Sequence, residues 1–143
     1  MRGAVAYTND QLRSASLFAE LPDESLERVK ETVSEFDAEA GSVLVQPGVE
    51  GSGLYILCEG TVAVDTRGAG TIELGPGECI GELALLTPAM RSARVSAKTA
   101  VHGLAIGRHD FSELLKREPT IAISLLGVLA RRLIDTSARH HIA

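Results

Sequence analysis

At 143 residues the chain has the size of one domain, and a chain of this length buries roughly 68–70% of the surface it would expose unfolded. It contains no Trp and only 3% aromatic residues, so its core must be aliphatic. Its formal net charge of −5 argues against a nucleic-acid partner, and no uncharged apolar run is long enough to cross a membrane.

The first ten residues carry too short an apolar run for a secretion signal, so a cytoplasmic protein is expected. Asn9 or Asp10 is placed to cap a first helix running to about Ala19. Pro22-Asp23-Glu24 reads as a second helix start, with acids near the positive end of the helix dipole. Leu26, Val29 and Val33 give that helix one apolar stripe, and Gly41 closes the region. Residues 1–40 are therefore expected to be helical.

The signal changes at Ser42. Strand-like runs at 43–45, 54–57, 62–64, 71–74, 94–97 and 101–106 alternate with breaks at Pro47-Gly48, Glu59-Gly60, 67–70 and Gly75-Pro76-Gly77. Many short strands divided by Gly and Pro point to a sandwich or jelly roll over residues 41–106, with Gly60 and Gly75 as candidates for tight corners. Cys58 and Cys79 lie in strand-like segments without zinc spacing and read as small buried apolar residues.

Helix returns over 107–143. Residues 109–116 form one amphipathic segment, and Pro119 opens the last and longest helix, reaching to about Arg139. Its apolar residues Ile121, Ile123, Leu125, Leu126, Val128, Leu129, Leu133 and Ile134 cover too much of the circumference for one stripe. Two partners are expected: the body of the roll, and the same helix of a second chain in an isologous dimer. The competing reading buries the helix wholly within its own domain. The whole chain is thus read as a single domain, mainly β with flanking helices: a double-stranded β-helix, or jelly roll, with N-terminal helices and a long C-terminal helix.

The segment from Gly81 to Ala93 puts one acid, Glu82, and one arginine, Arg91, on either side of a short apolar turn. Backbone N–H groups of such a turn can hold an anion, as a helix start does. Arg91 can fork onto the same anion, leaving Glu82 to accept from a nearby hydroxyl. An anion beside a free hydroxyl describes a ribose phosphate. The bland alternative is a surface ion pair of little energetic weight.

Gly81-Glu82-Leu83-Ala84-Leu85-Leu86 followed by Arg91-Ser92-Ala93 resembles the phosphate-binding cassette of cyclic-nucleotide-binding domains, here over residues 80–93. The flanking segments 74–78 and 93–99 also match that family's pattern. The resemblance implies that Glu82 takes the ribose 2′-OH and Arg91 the cyclic phosphodiester, with Ser92 at the phosphate. It makes Gly81, Leu83, Ala84 and Ala93 ligand-binding residues as well. Two positions depart from the family's habit: Ile80 stands where an aromatic residue is common, and Met90 stands where Pro often precedes the Arg.

The stretch 130–137 resembles the long dimer helix of bacterial catabolite activator (cAMP receptor) type regulators. That resemblance implies that Thr136 and Ser137 reach the adenine, the Ser from the opposite subunit. Short hydroxyls suit the amine and ring nitrogens of adenine, although Thr and Ser are also ordinary at a polar helix end. Those regulators continue into a helix-turn-helix domain, and no basic recognition helix follows here, so no DNA binding is expected of this chain alone.

These readings give a cyclic-nucleotide sensor that shifts its last helix on binding, with cAMP as ligand and no other cofactor. The alternatives are a cGMP-binding domain and a non-binding structural or dimerisation domain of the same fold. In eukaryotic relatives a hydroxyl residue after the Arg, as Ser92 is here, accompanies cGMP. A cupin-like metalloenzyme needs clustered His and Glu ligands. His102, His109, His140 and His141 are scattered and read as solvated surface, so neither a metal site nor an enzyme is expected.

Overall fold

The computed structural model describes residues 7–46, 53–66, 70–81 and 93–140, with the side chains of 66 and 136–140 outside that description. The chain opens on a short helix, α1 (Asn9–Arg13), capped by Thr8 rather than by Asn9 or Asp10. The Thr8 hydroxyl accepts from the Gln11 backbone N–H at 3.1 Å. The Gln11 side chain accepts from the Thr8 N–H at 2.8 Å. This is a capping box, and Thr8-x-x-Gln11 is its sequence signature. The helix ends at Arg13, short of the expected Ala19. A separate 3₁₀ turn over Ser16–Phe18 buries Leu17 and Phe18.

Helix α2 (Asp23–Thr32) starts after Pro22, with Asp23 and Glu24 in its first turn and Leu26 and Val29 fully buried. The chain then turns into an unexpected strand, β1 (Ser34–Ala38). Residues up to 40 are therefore not all helical. The cause is visible in Glu35-Phe36-Asp37-Ala38, where polar and apolar residues alternate with period two and cannot form a helical stripe.

The remaining strands are β2 (Val43–Val45), β3 (Gly53–Glu59), β4 (Val62–Thr66), β5 (Gly70–Leu74), β6 (Cys79–Ile80), β7 (Ala93–Ala97) and β8 (Val101–Gly107). They form two four-stranded sheets, ordered β1-β8-β3-β6 and β2-β7-β4-β5, with every described pairing antiparallel. This is the jelly roll expected from the spacing of strands and turns. Gly60, between β3 and β4, takes φ 91°, and a Cβ there would lie 2.1 Å from the Ala100 carbonyl oxygen. That corner requires glycine. Gly75 carries no such constraint: its φ is not positive and a Cβ would meet nothing within 4 Å.

Alternation along the first sheet sorts the core into two. Leu54 and Ile56 of β3, Leu104 and Ile106 of β8, and Cys79 of β6 pack with the helices around Phe18, Leu26, Phe111, Ile121 and Leu125. Leu57, Ile80 and Val101 join Val45, Val62, Val64, Val95 and Ala97 of the second sheet. One core lies between the sheets, and the other lies between the first sheet and the helical layer. Each fully buried aliphatic side chain contributes roughly 1.5–3 kcal/mol relative to leaving it in water.

Helix α3 (Arg108–Arg117) and the long α4 (Pro119–His140) complete the helical layer. Glu118, at the corner between them, is 7% exposed. One of its carboxylate oxygens accepts from the Ser25 hydroxyl at 2.8 Å, the other from the Arg28 guanidinium at 2.6 Å. The corner is thereby tied to α2, ninety or more positions earlier in sequence. Among the described residues no helix is long and apolar enough to cross a membrane.

Candidate functional site

The cassette is bounded by two strands. β6 delivers the chain to Gly81, and Ala93 begins β7 in the other sheet. Gly81 takes φ 93°, a left-handed backbone that L side chains rarely adopt, so the exit from β6 selects glycine at this position of the cassette. Ile80 points into the core between the sheets and is 3% exposed, which accounts for an aliphatic residue there. Ala93 pairs with Thr66 and packs at the border of the same core. Glu82, Leu83, Ala84, Arg91 and Ser92 lie outside the described residues. Thr136 and Ser137 stand on α4, within the expected helix, and their side chains lie outside the description.

Helix α4 is apolar on two sides. Ile121 and Leu125 are buried in the helical core, with Val128 and Leu129 packed against it. Ile123, Leu126, Leu133 and Ile134 are 66–69% exposed. On an ideal helix those four fall within an arc of roughly 100°, opposite the buried stripe.

Arg132 interrupts the buried stripe, one turn beyond Val128 and Leu129, and its guanidinium donates to the backbone carbonyl of Cys79. The last helix is thus fastened to β6, two residues ahead of Gly81. The sequence carried a signal for this contact: a charged residue in register with a buried apolar face needs a polar partner. Cys58 and Cys79 are free thiols, and burial pushes the Cys79 thiol up. Among the described residues no group of three His, Cys, Asp or Glu is placed to hold a metal ion.

His102 departs from the expectation of a solvated surface histidine. Both of its ring nitrogens face carboxylates, Asp37 at 2.5 Å and Glu35 at 2.9 Å. His109 is exposed on α3 as expected.

An antiparallel jelly roll with a helical layer on one face, and a last helix bonded to the strand ahead of a Gly-Glu…Arg loop, is the architecture of a ligand-binding regulatory domain. The chain belongs to the cyclic nucleotide-binding domain family, whose model matches residues 35–118. It is 41% identical over 83 residues to a cyclic nucleotide-gated potassium channel of Mesorhizobium japonicum, covering 58% of this chain and 23% of the channel. It is 37% identical over 98 residues to the cyclic AMP receptor protein of Thermus thermophilus, covering 65% of this chain and 45% of that protein. The crystal structure of the Thermus thermophilus catabolite activator protein matches with a TM-score of 0.78 at 32% identity, covering 87% of this chain and 61% of that one. The chain spans about a quarter of the channel and less than half of the receptor protein.

Proposed function

We propose that this domain is a cytoplasmic cAMP sensor. The observation that carries the reading is that the cyclic nucleotide-binding family match runs through the cassette, so Glu82 and Arg91 stand inside it. In this reading Arg91 and Ser92 hold the cyclic phosphate, Glu82 accepts from the ribose 2′-OH, and Gly81, Leu83, Ala84 and Ala93 line the pocket. Thr136 and Ser137 read the base. The preference for adenine is supported by the likeness to a protein named for cyclic AMP.

The signal leaves through α4. A ligand shifts a helix only if it binds two arrangements unequally, and the bond from Arg132 to the Cys79 carbonyl gives the cassette's neighbourhood a direct hold on that helix. The exposed face of Ile123, Leu126, Leu133 and Ile134 supports a two-fold homodimer along α4, because large apolar faces of this kind are covered in solution. Neither enzymatic activity nor DNA binding is assigned to the domain. Isothermal titration with cAMP and cGMP side by side tests the reading: saturable binding with cAMP the tighter ligand is expected. Binding of neither nucleotide would overturn it, and tighter cGMP binding would move the base preference to the alternative.

A further inference from the structure

His102 lies on β8 directly across from Asp37 of β1, and Glu35 stands two residues along the same strand. All three are on the face that carries Leu104 and Ile106, toward the helical layer. The Nδ1 atom contacts Asp37 Oδ1 at 2.5 Å and Nε2 contacts Glu35 Oε1 at 2.9 Å. A neutral imidazole has one N–H and one lone pair, whereas an ionised carboxylate only accepts. With a neutral ring, one of these two contacts would set lone pair against lone pair. Only the imidazolium donates to both.

The ring also carries a second contact. Tyr7, just ahead of α1, packs on His102 with ring centroids 5.9 Å apart and planes inclined at 44°. A cationic ring at this distance attracts an aromatic neighbour more strongly than a neutral one does. The Tyr7 hydroxyl is buried. Burial pushes its phenol up, with Cys58, Glu35 and Glu59 adding to the effect. From β3, Glu59 pairs with His102 in the strand register. The titratable groups around the ring are therefore Glu35 and Asp37 from β1, Cys58 and Glu59 from β3, and Tyr7. Three are carboxyls, and among these groups His102 alone can carry a positive charge.

We infer that His102 is a proton-gated clamp: as an imidazolium it bridges Glu35 and Asp37 across the β1–β8 edge and seats Tyr7, and loss of its proton loosens edge strand β1 and the residue ahead of α1. The direction of the gate follows from linkage. The bond to Asp37 raises the His102 value above its ordinary 6.5, against the opposing effect of burial, and Glu35 raises it further. A raised value in the folded state means that the clamp is complete below the unfolded value near 6.5 and is lost as pH rises through the folded one. The device responds to alkalinisation. It draws on none of the cassette residues, so its fate is separate from that of the cAMP reading.

The experiment is a histidine NMR titration of the whole chain from pH 5 to pH 9, with His102 assigned from His102→Gln. Hydrogen exchange of β1 amides relative to β4 amides is followed in parallel, since that ratio cancels the common base dependence of exchange. The wild-type midpoint is expected above 6.5, Asp37→Asn should shift it down, and the β1-to-β4 exchange ratio should rise severalfold through the midpoint. In His102→Gln the ratio should not change with pH. A wild-type midpoint at or below 6.5, or a wild-type ratio flat across the range, overturns the clamp. The exchange ratio is read on the unaltered protein and needs no variant, so a poorly folding His102→Gln does not protect the idea.

Discussion

The guanidinium of Arg132 donates a hydrogen bond to the carbonyl of Cys79, joining a helix near the end of the chain to the short strand that leads into Gly81. A carbonyl of an edge strand needs a donor, and here the donor arrives from 53 residues downstream. Arg132→Ala should cost about 1.5 kcal/mol, the low end for a hydrogen bond to a charged group, because the contact is only part-buried. If α4 reports the state of the cassette through this bond, cAMP affinity should fall as well, although Arg132 need not touch the ligand. Urea denaturation and nucleotide titration on the same variant measure the two effects. A stability loss with unchanged affinity would confine Arg132 to holding the helix.

The cassette variants should fall in a fixed order. If Arg91 holds the cyclic phosphate as proposed, Arg91→Ala takes away the partner of that charge, a loss of about 2–5 kcal/mol that leaves little useful binding. With Glu82 on the ribose 2′-OH as proposed, Glu82→Gln keeps part of a hydrogen bond worth about 1.5–3 kcal/mol and should lose discrimination against 2′-deoxy-cAMP. If Thr136 and Ser137 read the base as proposed, Thr136→Ala with Ser137→Ala takes away neutral hydrogen bonds of roughly 0.5–1.5 kcal/mol each, so the cAMP-to-cGMP affinity ratio should drop about tenfold. Calorimetric titration of the set checks the order. Unchanged affinity in Arg91→Ala would place the phosphate elsewhere.

Helix α4 offers a contrast between two leucines three residues apart. Leu126 is 66% exposed, whereas Leu129 packs against the helical core of its own domain. Leu126→Asp should leave the fold within about 0.5 kcal/mol, as exposed substitutions usually do, and should dissociate the proposed dimer. Leu129→Asp should destabilise the monomer fold by about 2 kcal/mol or more, since it pushes a charge toward an apolar core. Sedimentation velocity with thermal melting separates the two. A wild type that stays monomeric at tens of micromolar (a concentration set by the method) would remove the dimer from the proposal.

Glu118 holds the corner between α3 and α4 against α2. Glu118→Ala leaves the Ser25 hydroxyl buried without its acceptor and should cost about 2–3 kcal/mol. Glu118→Gln keeps an acceptor for Ser25 and gives up only the charge facing Arg28, which is half exposed, so about 1 kcal/mol is expected. Chemical denaturation midpoints of the pair give the comparison. Equal losses in the two variants would mean that the Arg28 contact, rather than Ser25, holds the corner.

The jelly roll was legible because Gly and Pro divide residues 42–106 into short β-branched runs, and each of those runs became a strand. The strand β1 is masked in the sequence because Val33 continues the spacing of Leu26 and Val29, which extends the helical stripe past the last turn of α2. What broke the helix was the alternation of Glu35, Phe36, Asp37 and Ala38, a pattern readable only by asking for period two. Cys79 reads as strand-like, but β6 is only two residues long, too short to show the alternation that sets the other runs apart. The candidate ligand residues stand in two local patterns, the segment from Gly81 to Ala93 and, for Thr136 and Ser137, the stretch 130–137. Arg132, Glu118 and His102 take their importance from partners 53, 93 and 65 positions away, which no local pattern supplies.

Cys79 and Ile80 are consecutive residues that face opposite cores, and Ile56 and Leu57 repeat that arrangement on the neighbouring strand. The first sheet is therefore a common wall with no loop or linker between its two sides. Melting the helical layer strips one face of that wall, and melting the sandwich strips the other. Helices and roll are expected to unfold together in one cooperative transition, and a strain applied to either has no soft element in which to dissipate.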